Sequence, residues 1–252
     1  MFRPRIIPVL LLKKNVLVKS ERFDNYRYIG DPINAVKIFN DLKADELVFL
    51  DILATKENRL IPINFVKEVG EEANMPFAVG GGIKTLDDIR IILKAGAEKV
   101  IINSHAAKNP DFIKNASETF GSSAIVVCMD VKKKIFDQQK IWIENGKKST
   151  NYTPIDFSKL MEEKGAGEII VQSIEKDGMM NGYDIELIKK ISESLTISVV
   201  ALGGAGTLEH MKQAYIEGAV NGLAAGSMFV FHGAHRSVLI NYPDKKEIKD
   251  YF

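Results

Sequence analysis

A single cysteine, Cys128, stands in 252 residues. No disulfide can form within the chain, and such usage fits a reducing cytosol. No apolar run approaches the roughly 20 residues that cross a bilayer. An excess of one charge is missing too. Lys and Arg number 34 against 33 Asp and Glu, a net charge of +1, which excludes a global field for nucleic acid and an acidic tail. The N-terminal segment carries Arg3 and Arg5 and then an apolar stretch, but Lys13-Lys14-Asn15 follows where a signal peptide would place small residues for cleavage. That stretch reads as a buried strand. There is no P-loop, no dinucleotide fingerprint and no Ser-His-Asp arrangement. His105 and His210 stand alone. His232 and His235 have no third ligand nearby and read as a surface helix rather than a metal site, so neither metal nor cofactor is expected.

What is present is a repeat with an offset of 122 residues. Glu46-Leu47-Val48-Phe49-Leu50-Asp51-Ile52 returns as Glu168-Ile169-Ile170-Val171-Gln172-Ser173-Ile174. Gly81-Gly82 returns as Gly203-Gly204, Thr85-Leu86-Asp87 as Thr207-Leu208-Glu209, and Gly96-Ala97 as Gly218-Ala219. The period is too long for a solenoid, whose units run roughly 20–50 residues. Eight short apolar runs begin near Arg5, Glu46, Phe77, Lys99, Ala124, Glu168, Ser198 and Gly222. They are apolar throughout, as parallel strands covered on both faces are. Helix starts lie between them. Asp31-Pro32 and Asn109-Pro110 pair a cap with proline at the first helical position, and Thr85-Leu86-Asp87-Asp88 resembles a capping box. Gly96, Gly165 and Gly218 sit where helices end. Eight strand–helix units predict a (β/α)8 TIM barrel built from two duplicated half-barrels. The chain then forms one domain, 1–252, with halves of about 1–122 and 123–252. Two connections are long. The segment 13–30 reads as a basic loop. The segment 131–153, with Phe136, Ile141, Trp142 and Ile143 about Asn145-Gly146, carries a hairpin signal.

The strongest chemical signal is the pair of glycine turns. Gly80-Gly81-Gly82 and Gly203-Gly204-Ala205-Gly206 each follow a strand and precede a helix start, a combination that exposes backbone N–H groups to an anion. Strand eight ends at Gly226-Ser227 and strand four at Asn103-Ser104. Two phosphate sites on opposite sides of the mouth follow, and with them a phosphorylated small molecule as ligand. Lys19 could reach a phosphate from the first loop, although a lone lysine there is commonly solvated. Asp51, Asp130 and Asp177 are the carboxylates near strand ends. Asp130 reads as catalytic, with an ion pair or helix cap as the plain alternative. Asp177, in Lys176-Asp177-Gly178, is equally a turn residue.

Several stretches resemble the cyclase subunit of imidazole glycerol phosphate synthase, the HisF family of histidine biosynthesis. They are Arg-Ile-Ile-Pro from Arg5, Glu-Leu-Val-Phe-Leu-Asp-Ile from Glu46, Val-Gly-Gly-Gly-Ile from Val79, Gly-Ala-Gly-Glu-Ile from Gly165, Lys-Asp-Gly from Lys176 and Gly-Gly-Ala-Gly from Gly203. The resemblance implies a duplicated half-barrel, a substrate with two phosphates, and ammonia received through the barrel from a HisH-like glutaminase on the bottom face. It also implies a gate of alternating charges at that end, at Arg5, Glu46, Lys99 and Glu168. The family uses an aspartate at the end of strand one and another at the end of strand five. Asp130 matches the second, but Leu11 stands at the first, and leucine transfers no proton. Leu53, Gln172, Met179 and Leu202 also replace smaller or more polar residues usual around the mouth.

Leu11-Leu12-Lys13 and Tyr28-Ile29-Gly30-Asp31-Pro32 are similar to second copies found among surface-polysaccharide genes. These act with a glutaminase and a separate sugar amidotransferase in amidinating a nucleotide sugar. The expectation is therefore a barrel that conducts ammonia for that chemistry. The alternatives are a genuine cyclase using Asp51 or Asp177 as the second acid, a non-catalytic scaffold, and the related sugar-phosphate isomerase, which needs no charge gate.

Overall fold

The computed structural model describes residues 3–134, 138–233 and 235–252. Each apolar run forms a strand of one closed barrel. The strands are β1 (Arg5–Lys13), β2 (Leu47–Asp51), β3 (Phe77–Gly80), β4 (Lys99–Ile102), β5 (Ile125–Lys133), β6 (Glu168–Ser173), β7 (Ser198–Leu202) and β8 (Gly222–Ala225). Neighbours pair in parallel, and β8 closes on β1 with Arg5 opposite Gly222. Carried from strand to strand, the register leaves β1 at Lys13 and returns to it at Arg5. That stagger of about eight residues is the one a TIM barrel requires.

Both strand faces are apolar because both are covered. Ile7, Val9, Val48, Ile101, Val126 and Ile170 fill the interior. Outward residues such as Leu10, Phe49 and Val100 pack under Val36, Val66 and Ile89 of the surrounding helices. Those helices are α1 (Pro32–Asp41), α2 (Ile63–Glu72), α3 (Leu86–Lys94), the short α4 (Ser104–Lys108), α5 (Pro110–Phe120), α6 (Pro154–Glu163), α7 (Ile185–Ser192), α8 (Leu208–Gly218) and α9 (Lys245–Tyr251). Asp31 caps α1, and Thr85 forms a full capping box with Asp88 on α3. Asn109 starts α5, but its side chain caps nothing. The same residue ends α4, its N–H donating to the His105 carbonyl, so its backbone serves two helices. Gly218 is the last residue of α8, and Ala219 takes the left-handed conformation in its place.

The second long connection forms the expected hairpin. Gln139–Ile143 pairs with β5 and with Lys148–Ser149, and Trp142 Nε1 donates to the Lys132 carbonyl. Phe136 lies outside the described residues. The first connection is not a loop. Val16–Glu21 and Asp24–Gly30 form an antiparallel hairpin that extends from β1 through Leu11–Val18 and Lys13–Val16. His232 and His235 are on no helix. Phe231–His232 pairs with Ser237–Val238 around Gly233 at φ +70° and Arg236 at φ +49°, conformations that no helix contains. Among the described residues, no helix is long and apolar enough to cross a membrane.

Candidate functional site

The strand C-termini surround a cavity of about 580 Å³. Gly81, Gly82, Asn103 and Ser104 line it from the ends of β3 and β4. Gly203, Gly204, Gly226 and Ser227 line it from β7 and β8, on the opposite side of the barrel. Asp130 of β5, Leu11 of β1, Lys19 of the first hairpin and Asp177 after β6 complete the wall. Among the residues thought to alter the mouth, Gln172 and Leu202 line this cavity, whereas Leu53 and Met179 do not.

The glycine turns serve packing as well as approach. At Gly82, φ +73°, a Cβ would collide with the Arg59 carbonyl, and at Gly204, φ +110°, with that of Gly182. Each turn therefore lets a loop lie directly on the backbone of the preceding one. The helix starts beyond them are answered internally. Thr85 accepts from the Asp88 N–H, Thr207 accepts from the His210 N–H, and His210 Nδ1 accepts from the Gly206 N–H. The bare helix N-termini expected after the turns are thus partly satisfied by the chain itself. Ser104 and Ser227 are buried at the neighbouring strand ends. Ser104 Oγ donates to Asn103 Oδ1 at 3.1 Å and accepts from the Glu144 N–H at 2.9 Å.

Asp130 is buried. Burial pushes its carboxyl up to about 7, against a downward pull from the Asn103 side chain and with a further push from the Asp177 charge. It takes part in no ion pair among the described residues and caps no helix, so the plain alternative for this acid is not realised. Across the barrel, Leu11 packs with Leu50 against the apolar interior.

The other two carboxylates are engaged. Asp51 Oδ1 accepts from the N–H groups of Leu53 and Ala54 at 3.0 and 3.2 Å, and Oδ2 pairs with Arg59 at 2.6 Å. Asp177 Oδ2 accepts from Ser20 Oγ at 2.8 Å and from the Phe23 N–H at 3.2 Å, holding the first hairpin over the mouth. Burial raises the Asp177 carboxyl, while Ser20, Phe23, Lys19 and Gln172 act in the opposite direction. Lys19 is not solvated. It is buried, its Nζ donates to the Val9 carbonyl, and it lies against Gly226. Burial lowers the ammonium to about 8, with the Asp177 charge working against that.

At the opposite end, the four expected charges meet in a ring. Arg5 pairs with both Glu46 and Glu168. Lys99 Nζ lies 2.9 Å from Glu46 and 3.4 Å from Glu168, and Ser198 Oγ donates to Glu168 at 3.1 Å. Two cations and two anions alternate and satisfy one another, which buried charge requires. Above the ring, Ile7, Val48, Val126, Ile170 and Val200 pack in the interior together with Cys128, whose thiol is held protonated by burial.

Arg59, Ser20, Phe23 and Glu144 were not picked out from sequence. Arg59 and Ser20 stand in no motif. The Glu144 position lies inside the hairpin turn that Asn145-Gly146 announced. Among the described residues, no group of three His, Cys, Asp or Glu is placed to hold a metal ion.

A TIM barrel with buried polar groups at both ends of an apolar packed interior and a cavity at its strand C-termini belongs among the barrel proteins that work at that face. The family model described as histidine biosynthesis protein matches residues 5–236. A protein of Leptospira borgpetersenii, provisionally named imidazole glycerol phosphate synthase subunit HisF, is 48% identical over 97% of this chain and 96% of its own. A protein of Pseudomonas aeruginosa, provisionally named subunit hisF2 of the same synthase, is 40% identical over 98% of this chain and 99% of its own. The imidazole glycerol phosphate synthase subunit HisF of Alkaliphilus metalliredigens is 41% identical over 92% of each. The chain belongs to the histidine biosynthesis protein family, as a HisF-like second-copy member.

Proposed function

We propose that this HisF-like chain is the barrel subunit of a glutamine amidotransferase complex. It binds a phosphorylated small molecule across its mouth and conducts ammonia from a HisH-like glutaminase on its lower face. The ammonia serves amidination of a surface-polysaccharide sugar by a separate amidotransferase. The observation that carries this reading is the isolation of Asp130. A carboxyl held near 7 can give or take a proton. Ring closure by an acid and a base needs a second group across the mouth. Leu11 cannot be that group, and Asp51 and Asp177 are committed to Arg59 and to the first hairpin.

Passage of ammonia is supported by the apolar character of the barrel interior. A neutral molecule crosses the apolar interior at little electrostatic cost, whereas ammonium would meet the full desolvation penalty. The ring must open to admit it, and Lys99, with contacts at 2.9 and 3.4 Å, carries its charge on a flexible stem, unlike the planar fork of Arg5. Phosphate at the mouth is supported by Lys19 beside Gly226 and Ser227 and by Ser104 on the other side.

The test is a titration of a HisH-type glutaminase with the purified chain. The expected result is a complex of the two and a rise in glutamine turnover of about ten-fold or more. Turnover that stays at its basal level at saturating barrel concentration would refute the role. A genuine cyclase remains the second reading, favoured by the Asp130 carboxyl at about 7.

A further inference from the structure

The 122-residue offset extends to the two hairpins over the mouth, and there the halves differ in charge. Arg22-Phe23 at the tip of the first hairpin falls on Glu144-Asn145 at the tip of the second. All four take positive φ, at 53°, 64°, 56° and 58°. Each tip docks on a loop across the barrel. The N–H groups of Arg22 and Phe23 donate to Asp177 O and Oδ2 at 3.0 and 3.2 Å. Asn145 Nδ2 donates to the Ile52 carbonyl at 2.5 Å.

The two candidate anion sites thereby receive opposite charges. The first hairpin brings Lys19, whose Nζ lies against Gly226. The second hairpin brings Glu144 to position 104, which the offset relates to position 226. The Glu144 N–H donates to Ser104 Oγ at 2.9 Å, and its carboxylate pairs with Lys108 Nζ at 2.5 Å. Lys108 and Ser104 both line the cavity, as do Lys84 and Lys147, so the chain's own carboxylate holds one of the cations that a phosphate would take.

We propose that Glu144 is a specificity-determining residue that biases the Ser104–Lys108 end of the mouth toward a dianionic group. The inference rests on the phosphate reading given above. A ligand phosphate first anchors at the Lys19 end. Its other end reaches Ser104 and Lys108 only by displacing the Glu144 carboxylate. A phosphate monoester, with a charge of about −1.5 to −2, competes for Lys108 against the single charge of Glu144. A ligand ending in a carboxylate gains nothing by the exchange.

The experiment is a calorimetric titration of the full chain with inorganic phosphate, for the wild type, Glu144→Gln and Lys19→Met. The wild type binds at two unequal sites. Glu144→Gln strengthens the weaker site about two- to five-fold, the scale of one partly exposed ion pair, and leaves the stronger one unchanged. Lys19→Met weakens the stronger site alone. Two sites whose affinities ignore Glu144, or a weaker site that loses affinity in Glu144→Gln, overturn the inference while leaving the phosphate reading intact. Absence of phosphate binding in all three proteins overturns that reading and the inference with it.

Discussion

Burial holds the Asp130 carboxyl at about 7, so near neutral pH the group is divided between its protonation states. The same shift has a consequence for stability. The folded chain keeps the proton to a higher pH than the unfolded chain, whose carboxyl titrates near 3.8. Stability is therefore lost as pH rises from about 4 to about 7, and the loss is complete above that window. At roughly 1.36 kcal/mol per pH unit, it amounts to about 4 kcal/mol. Asp130→Asn removes the ionisation. In thermal denaturation it is expected to match the wild type near pH 4, to exceed it progressively up to about pH 7, and to hold that margin above. A difference between the two proteins that does not change with pH would show that Asp130 is not held protonated. This burial was only partly legible in the sequence. The position of Asp130 at a strand end is a local signal. The depth of its burial depends on the second hairpin, in which Trp142 lies opposite it. Lys19 was harder still, because a lysine among basic residues gives no sign that its amine turns inward to the Val9 carbonyl.

The barrel strands and two helix caps were legible from local signals, whereas Asn109 as a side-chain cap, the helix at His232 and His235, and the first hairpin were misread. Continuous apolar runs gave the eight barrel strands, and Asp31 and Thr85 gave real helix caps. The first hairpin escaped because Lys19, Arg22, Arg27 and their neighbours masked its Val16 and Val18 alternation. Its anchor, Asp177, lies more than 150 positions away. That dependence can be measured. In Asp177→Ala, Ser20 and Phe23 lose their acceptor, a loss of about 1–3 kcal/mol for the hairpin. Amide exchange across 16–30 should accelerate about ten-fold or more, with β2 to β4 unchanged. Unaltered protection of the hairpin would mean that its ladder to β1, and not Asp177, holds it down.

At the scale of the molecule, the 122-residue repeat accounts for the placement of parts. It sets each of the glycine turns at Gly82 and Gly204 against a carbonyl of the preceding loop and puts Glu46 and Glu168 in one ring with Arg5 and Lys99. The symmetry fails where chemistry is decided. Lys19 and Glu144 bring opposite charges to the two ends of the mouth, and Asp130 faces Leu11 across it. On the function proposed above, such a barrel would conduct ammonia and hold a phosphorylated ligand while lacking one member of an acid–base pair, whose contribution is typically 10²–10⁴-fold. The most direct measurement is ammonia-dependent formation of imidazole glycerol phosphate from the family's substrate and ammonium salts, for the wild type and for Leu11→Asp. The account predicts negligible product from the wild type and a clear rise in Leu11→Asp. Robust turnover by the wild type, abolished in Asp130→Asn, would contradict it and identify the chain as a working cyclase.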